Sequence, residues 1–429
     1  MAKYLITVWP YLGSLNPLTA VGRALSARGH SVAFYSGRRA QTFFEGEGFT
    51  FFPLSQELDD FIERMLVEPE GAGRGWSGRP WEAVAMLRAF FLEPIRPEMA
   101  DLDGILANWK PDVVLCEPAM WAPILILHEA REIPVAMYEL PATTMPGRGI
   151  PPGGLGLPLP RNWRTRLQAR LAGAAMDVVV SGVRRDASRL RQEFGLPPLE
   201  SSVMALTGKL PLVLVPSSPE FDYQRHDLPA TFHYIGHCVS YPSANKPFGW
   251  LETLPHDWPW VHVSEGTMYV QEPIVLRKAA QALAGMSLHV IMTTGTQRDP
   301  ATIDLGPLAS NILVEPWVPY SQLFPKTDLV VTHGGGGTVI AALAAGLPMV
   351  VLPLMWDQAD NAQRVVEAGA GVRLSAESCT PTRLRAAVAE VLSEPSYRRN
   401  AQRLADSLAC YGGPDQAAEL LEQLLEQPV

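Results

Sequence analysis

Cysteine is scarce. The chain has four, Cys116, Cys238, Cys379 and Cys410, too far apart for a zinc spacing or a disulfide framework, so they read as reduced thiols of a cytosolic protein. No apolar run reaches the ~20 residues that a membrane span requires, and Met1-Ala2-Lys3-Tyr4 runs straight into a strand rather than a signal peptide. Positive charge is in deficit: the formal net charge is -9, which argues against sequence-independent nucleic-acid binding. No internal repeat is visible. A Walker A lysine is also missing, because the position before Thr338 is Gly337. What the chain does have is 429 residues, 47% of them hydrophobic, enough for two or three domains with a large core.

The most informative stretch is Thr332-His333-Gly334-Gly335-Gly336-Gly337-Thr338. Leu329, Val330 and Val331 lead into it as a buried parallel strand, and Val339 to Ala345 follow as a short helix ended by Gly346. Glycines between a strand's C-terminal end and a helix N-terminus are where an open α/β sheet takes its ligand. Free N–H groups and the helix dipole favour an anion there, and glycine lets a phosphate approach the backbone. A dinucleotide fingerprint beginning at Gly334 fails, because its third glycine becomes Val339.

From the N-terminus, Tyr4 to Val8 is a strand. A helix capped at Asn16, with Pro17 as its first residue, runs to about Arg28, and Ser31 to Tyr35 is the next strand. Phe61 to Gly78, rich in glycine, reads as a loop. Trp81 to Trp109 is helical with breaks at Pro94 and Pro97. Strands follow at Val113 to Cys116 and Ile133 to Tyr138, with a helix from Pro123 to Arg131 between them. Pro141 to Trp163 is a long Pro- and Gly-rich loop. The arginine-rich stretch Arg161 to Leu196 is a helix with a solvated basic face, or alternatively a patch for an anionic acceptor or membrane surface. Leu210 to Val215 is a strand. From Trp260 the β-α alternation restarts through Leu288 to Thr293, Asn311 to Glu315, Leu329 to Val331 and Met349 to Leu352. The last helix, Asp415 to Gln427, carries one apolar stripe.

This gives an α/β protein of two Rossmann-like, doubly wound parallel sheets. The expected division is an N-terminal domain over 1–222, a linker over 223–245, a second domain over 246–410 and a C-terminal helix over 411–429. In the second half, Ser264 and Thr267, Trp317-Val318, the His333–Thr338 loop and Asp357-Gln358 all sit near strand ends. Trp317 offers a flat face for a pyrimidine. Ser264, Thr267, His333, Gly335, Gly336, Gly337 and Thr338 offer donors to a diphosphate. Asp357 and Gln358 suit sugar hydroxyls. Glu265 would repel a diphosphate unless its side chain turns away. Asp101 and Asp103 have a metal-type spacing but, on a helix, face different ways, and no metal is expected.

These motifs, Trp317-Val318-Pro319, Thr332-His333-Gly334-Gly335, Gly346-Leu347-Pro348, Pro353 and Asp357-Gln358, resemble in order the donor signature of the inverting, metal-independent glycosyltransferases of the GT-B fold. Asn16-Pro17 and Arg28-Gly29-His30 match that family's first β-α-β unit. The resemblance covers essentially the whole chain. It implies two domains facing across a cleft, the first (1–222) binding the acceptor and the second (246–410) the nucleotide sugar, with the C-terminal helix packing back toward the N-terminal domain. It also implies transfer of a hexose from a UDP- or dTDP-sugar to a hydroxyl of a small natural-product-like acceptor. No cofactor besides the donor is implied, and the expected protein is a cytoplasmic monomer or homodimer.

Two departures stand out. The catalytic His of the family falls on Ser14, a hydroxyl far too weakly basic for that role. The family's orienting Asp falls on Glu117, which leaves Glu117 as base, directly or through Ser14 or a water, or as a plain loop carboxylate. A Glu that holds the ribose in many UDP-glucose enzymes is Ala341 here, which suits a deoxyribose, while Asp357-Gln358 suits a fully hydroxylated hexose. Two other readings follow: an auxiliary sugar-nucleotide-binding protein that supports a partner transferase, and a sugar-nucleotide 2-epimerase.

Overall fold

The computed structural model describes residues 1–67, 80–239, 248–253, 255, 257–266, 272–295 and 298–426. Short runs of Val, Ile, Leu and Phe, buried on both faces, build two wholly parallel sheets. The first contains β1 (Lys3–Thr7), β2 (Ser31–Ser36), β3 (Thr50–Pro53), β4 (Val113–Cys116), β5 (Val135–Tyr138), β6 (Leu212–Val215) and β7 (Phe232–Tyr234), in the order β3-β2-β1-β4-β5-β6-β7. The second contains β8 (Trp260–Ser264), β9 (His289–Thr293), β10 (Ile312–Glu315), β11 (Leu329–Thr332), β12 (Met349–Val351) and β13 (Gly371–Arg373), in the order β10-β9-β8-β11-β12-β13.

Strand order reverses between β1 and β4 in one sheet and between β8 and β11 in the other. Doubly wound sheets bind ligands outside the carboxyl ends of the strands at such reversals. The register brings Thr7 beside Cys116 and Thr332 beside Ser264 at those ends. The segments after Thr7, Cys116 and Thr332 carry Ser14, Glu117 and His333, and Ser264 is itself the last residue of β8.

Several elements differ from expectation. The first helix spans Leu12–Ala27, so Asn16 and Pro17 lie inside it. Ser14 and Leu15 already donate to the Tyr11 carbonyl, at 2.9 and 2.8 Å. Pro17 costs only the bond that would have gone to Gly13, near the helix start, where proline is least disruptive. The helix Gln56–Val67 occupies much of the expected loop, because Leu58, Phe61, Ile62 and Met65 bury one face; residues 68–78 of that loop lie outside the described residues. The segment from Pro123 opens as a single π-helical stretch, Pro123–Leu127, before His128–Arg131. The short strand expected near Phe232 to Ile235 is present as β7, and it is the edge strand of the first sheet although it lies within the stretch expected as a linker.

The C-terminal helix Gly413–Glu426 packs back on the N-terminal domain. Ala417, Ala418, Leu421 and Leu424 join the core formed by Leu18, Val21 and Leu25. Across the domain boundary, buried Asp222 accepts hydrogen bonds from Thr143, Tyr234 and Arg364. The Arg364 guanidinium also lies over the Tyr223 ring at 4.1 Å.

Candidate active site

On the N-terminal side, Glu117 follows β4 and turns its carboxylate under the loop after β1. Its Oε1 accepts the Trp9 backbone N–H, and the Ser14 hydroxyl bonds the same carboxylate. Only 5% of Glu117 is exposed. Burial disfavours the charged form and lifts its pKa from 4.5 to about 7, against the opposing pull of its hydrogen bonds. The two residues matched from sequence therefore meet as one unit.

Beneath them lies a carboxyl that the sequence reading missed. Glu98 is buried and accepts the Ala122 N–H at 3.2 Å through Oε2, and burial raises its pKa to about 8. It borders a small apolar cavity with Trp9, Leu58, Phe61, Ile62 and Met120. Its sequence signal is a carboxylate on the apolar stripe Ile95, Leu102, Ile105 of the helix Ile95–Asn108.

On the C-terminal side, the helix Gly336–Ala344 begins inside the glycine run, earlier than expected, with Gly335 at its N-cap. The first N–H groups of any helix have no intrahelical partner, so glycines here expose several donors at once. Gly334 holds φ at 91°, a conformation that disfavours other residues. The His333 ring is clamped between Gly266 and Gly335: a Cβ at either glycine would lie 2.5 Å from a ring atom. It bonds the Ser264 backbone, and its Nδ1 lies 3.3 Å from the Thr332 hydroxyl. Burial lowers its pKa to about 4, so the ring is neutral at physiological pH.

Thr338 bonds the hydroxyl of Tyr320 at 3.1 Å, and Tyr320 also bonds Ser264, which links three points of the loop system. Thr267 lies outside the described residues. Trp317 is half-buried at the end of β10, whereas Val318 packs into the second domain's core and can offer a ligand only its backbone. Glu265 turns away from the glycine loop. Its Oε1 accepts the Val275 N–H at 2.8 Å, and Arg298 lies 3.6 Å from Oε2.

Asp357 reaches the same helix start: a Cβ at Gly336 would lie 3.5 Å from its Oδ2. Burial lifts its pKa to about 6, partly countered by the Asn361 amide at 2.7 Å. Asn361, unforeseen from sequence, also donates to the Gly334 carbonyl at 3.0 Å and so ties the two loops together. The side-chain oxygen Oε1 of Gln358 is taken by the Leu354 and Met355 N–H groups, leaving its side-chain N–H groups for a ligand. The Pro- and Gly-rich loop spans the two domains. Gly154 and Gly156 donate to Asp360 at 2.5 and 2.7 Å, and Arg373 donates to the Gly156 carbonyl.

The two half-sites face each other. The Gly13 carbonyl lies 3.9 Å from the place a Cβ would take on Gly337. Asp101 and Asp103 diverge as expected: Asp101 accepts from Tyr35 and Ser55, and Asp103 pairs with Arg131. Among the described residues, no group of three His, Cys, Asp or Glu side chains could hold a metal, and no helix is long and apolar enough to cross a membrane.

Residues 278–424 match a family model described as "Erythromycin biosynthesis protein CIII-like, C-terminal domain". The chain is 32% identical over 430 residues to 4'-demethylrebeccamycin synthase of Lentzea aerocolonigenes, covering 99% of this chain and 100% of that protein. It is 27% identical over 432 residues to demethyllactenocin mycarosyltransferase of Streptomyces fradiae, covering 99% of this chain and 87% of the relative. In fold it is similar to the glycosyltransferase of kitacinnamycin (TM-score 0.74, 23% identity, 99% of both chains). It is also similar to glycosyltransferase VinC, solved with dTDP (TM-score 0.70, 20% identity, 99% of this chain and 100% of the other).

Proposed function

We infer the reaction from one premise: this chain belongs to the GT-B glycosyltransferases of natural-product biosynthesis. The reading we propose is transfer of a hexose, with inversion, from a UDP- or dTDP-sugar to a hydroxyl of a small natural-product-like acceptor. Glu117 takes the proton of that hydroxyl, and Ser14 orients the carboxylate. The acceptor oxygen attacks the anomeric carbon from the face opposite the diphosphate. The bond from that carbon to the diphosphate oxygen breaks, and the nucleoside diphosphate leaves with the electron pair.

Charge on the leaving group is met by the N–H groups of Gly336, Gly337 and Thr338 and by the helix dipole. Neutral His333 gives the loop its shape. Trp317 stacks on the base, and Asp357 with the Gln358 amide binds sugar hydroxyls. Donor and acceptor are the two molecules the reading requires.

The observation that carries this reading is the pairing of switch points. A buried carboxylate with a pKa of about 7 stands at one sheet reversal, and a glycine-rich helix start stands at the other, directly across the cleft. A carboxylate poised near neutrality suits a general base. Ala341 offers a ribose no hydrogen-bonding group, which is compatible with a deoxyribose.

The test is a panel of UDP-glucose, dTDP-glucose and UDP-N-acetylglucosamine against a mixed library of hydroxylated aglycones, read by mass spectrometry. A mass gain of one hexosyl unit on an aglycone is expected. Nucleotide binding without transfer from any donor would favour the auxiliary reading. Altered sugar and free UDP without an acceptor would favour an epimerase.

A further inference from the structure

The turn that presents Asp357 holds the residue before it in an unfavourable backbone conformation. Trp356 has φ of 54°, in the left-handed region that a bulky side chain rarely adopts. The turn is fixed from both sides. The Gln358 side-chain Oε1 takes the N–H groups of Leu354 and Met355 at 2.9 and 3.0 Å, and the Asn361 amide donates to Asp357 at 2.7 Å. As a result the indole leaves its own domain and packs against the N-terminal core. Its ring lies 4.8 Å from that of Phe90, which lies 5.4 Å from that of Trp9, whose backbone N–H holds Glu117.

The indole Nε1 of Trp356 is buried and has no hydrogen-bond partner among the described residues. Two other buried indoles are satisfied: Trp121 donates to the Pro118 carbonyl at 2.7 Å and Trp260 to the Pro255 carbonyl at 3.2 Å. A buried N–H without a partner is costly, and so is a strained backbone. Such features persist where a ligand uses them. Here both fall on one residue, between the sugar-binding Asp357 and the aromatic surface that leads to the base.

We propose that Trp356 is an acceptor-binding residue. Its ring forms the wall shared by the sugar and acceptor pockets, and its N–H donates to an oxygen of the bound acceptor. With Phe90 and Trp9 it forms one aromatic cluster, of which Trp356 is the half-buried member. The acceptor class is therefore an aromatic or fused-ring hydroxyl compound with a second oxygen, carbonyl or hydroxyl, near the one glycosylated. This inference rests on the glycosyl-transfer reading above.

The test uses Trp356→Phe, which keeps a ring and removes the N–H. The probe is whichever aglycone the wild-type protein glycosylates in the panel; if it glycosylates none, the transfer reading itself has failed. With that aglycone, Trp356→Phe is expected to raise the acceptor KM about tenfold, as for one lost hydrogen bond, and to leave the donor KM within about twofold. An acceptor KM within about twofold of wild type would overturn the proposal, as would a donor KM raised as much as the acceptor KM.

Discussion

Gly266 and Gly335 press on the His333 imidazole from two sides, and neither has room for a Cβ. This explains Gly335 of the glycine run, and Gly266 after β8, through their neighbour rather than through the ligand. Adding a methyl group at Gly335 must displace the ring and, with it, the link to Ser264. Forced shifts of this kind cost about 1–3 kcal/mol. Gly335→Ala is therefore expected to weaken UDP and dTDP binding by tenfold or more, measured by titration calorimetry; unchanged affinity would remove His333 from the donor site. The residues bearing chemistry were legible where they were contiguous, as in the glycine run and Asp357-Gln358. Tyr320, Asn361, Glu98 and Trp356 were not, because each acts through a contact made only in the folded chain.

At the scale of elements, the helix Gly336–Ala344 separates stability from binding. Gly337 is exposed in its first turn, and a Cβ there would meet nothing closer than the Gly13 carbonyl at 3.9 Å. Alanine is the better helix former by about 0.8–1.0 kcal/mol. Gly337→Ala is thus expected to hold or raise Tm while weakening nucleotide binding at least fivefold, because the methyl group occupies the approach to the N–H groups. Binding that is unaffected, read by the same titration, would show that no phosphate comes this close. Strands with buried Val, Ile and Leu runs were readable from sequence to within a residue or two. β13 was not, because three residues beginning with Gly371 carry no periodicity. The first helix also misled: Asn16-Pro17 looks like a start, but the Tyr11 carbonyl nucleates the helix a turn earlier.

At the scale of the molecule, the two domains are joined by the buried pair Asp222–Arg364, with Thr143 and Tyr234 completing the carboxylate's bonds. Removing one partner of a buried ion pair costs about 3–5 kcal/mol. Asp222→Asn is expected to lower unfolding stability by that order in chemical denaturation; a loss below about 1 kcal/mol would show that the pair is not structural. The sequence disclosed two sheets and a cleft, but not this pairing, which joins residues remote in the chain. Nor could it disclose the packing of Trp356 on Phe90.

The central claim is that Glu117 is the base that completes a donor site built in the other domain. The most direct measurement compares Glu117→Gln with wild type across pH, reading transfer as kcat/KM for the acceptor and nucleotide affinity in parallel. Glutamine keeps the shape and the Ser14 contact but cannot take a proton. With a raised pKa of about 7, the wild-type carboxylate is protonated and inactive below that pH, so its kcat/KM is expected to rise as pH passes through about 7. Glu117→Gln is expected to lose transfer by about 10²–10⁴-fold, to lose that rise, and to bind UDP or dTDP within about twofold of wild type. Transfer retained above about a tenth of the wild-type rate, with the same pH profile, would contradict the account.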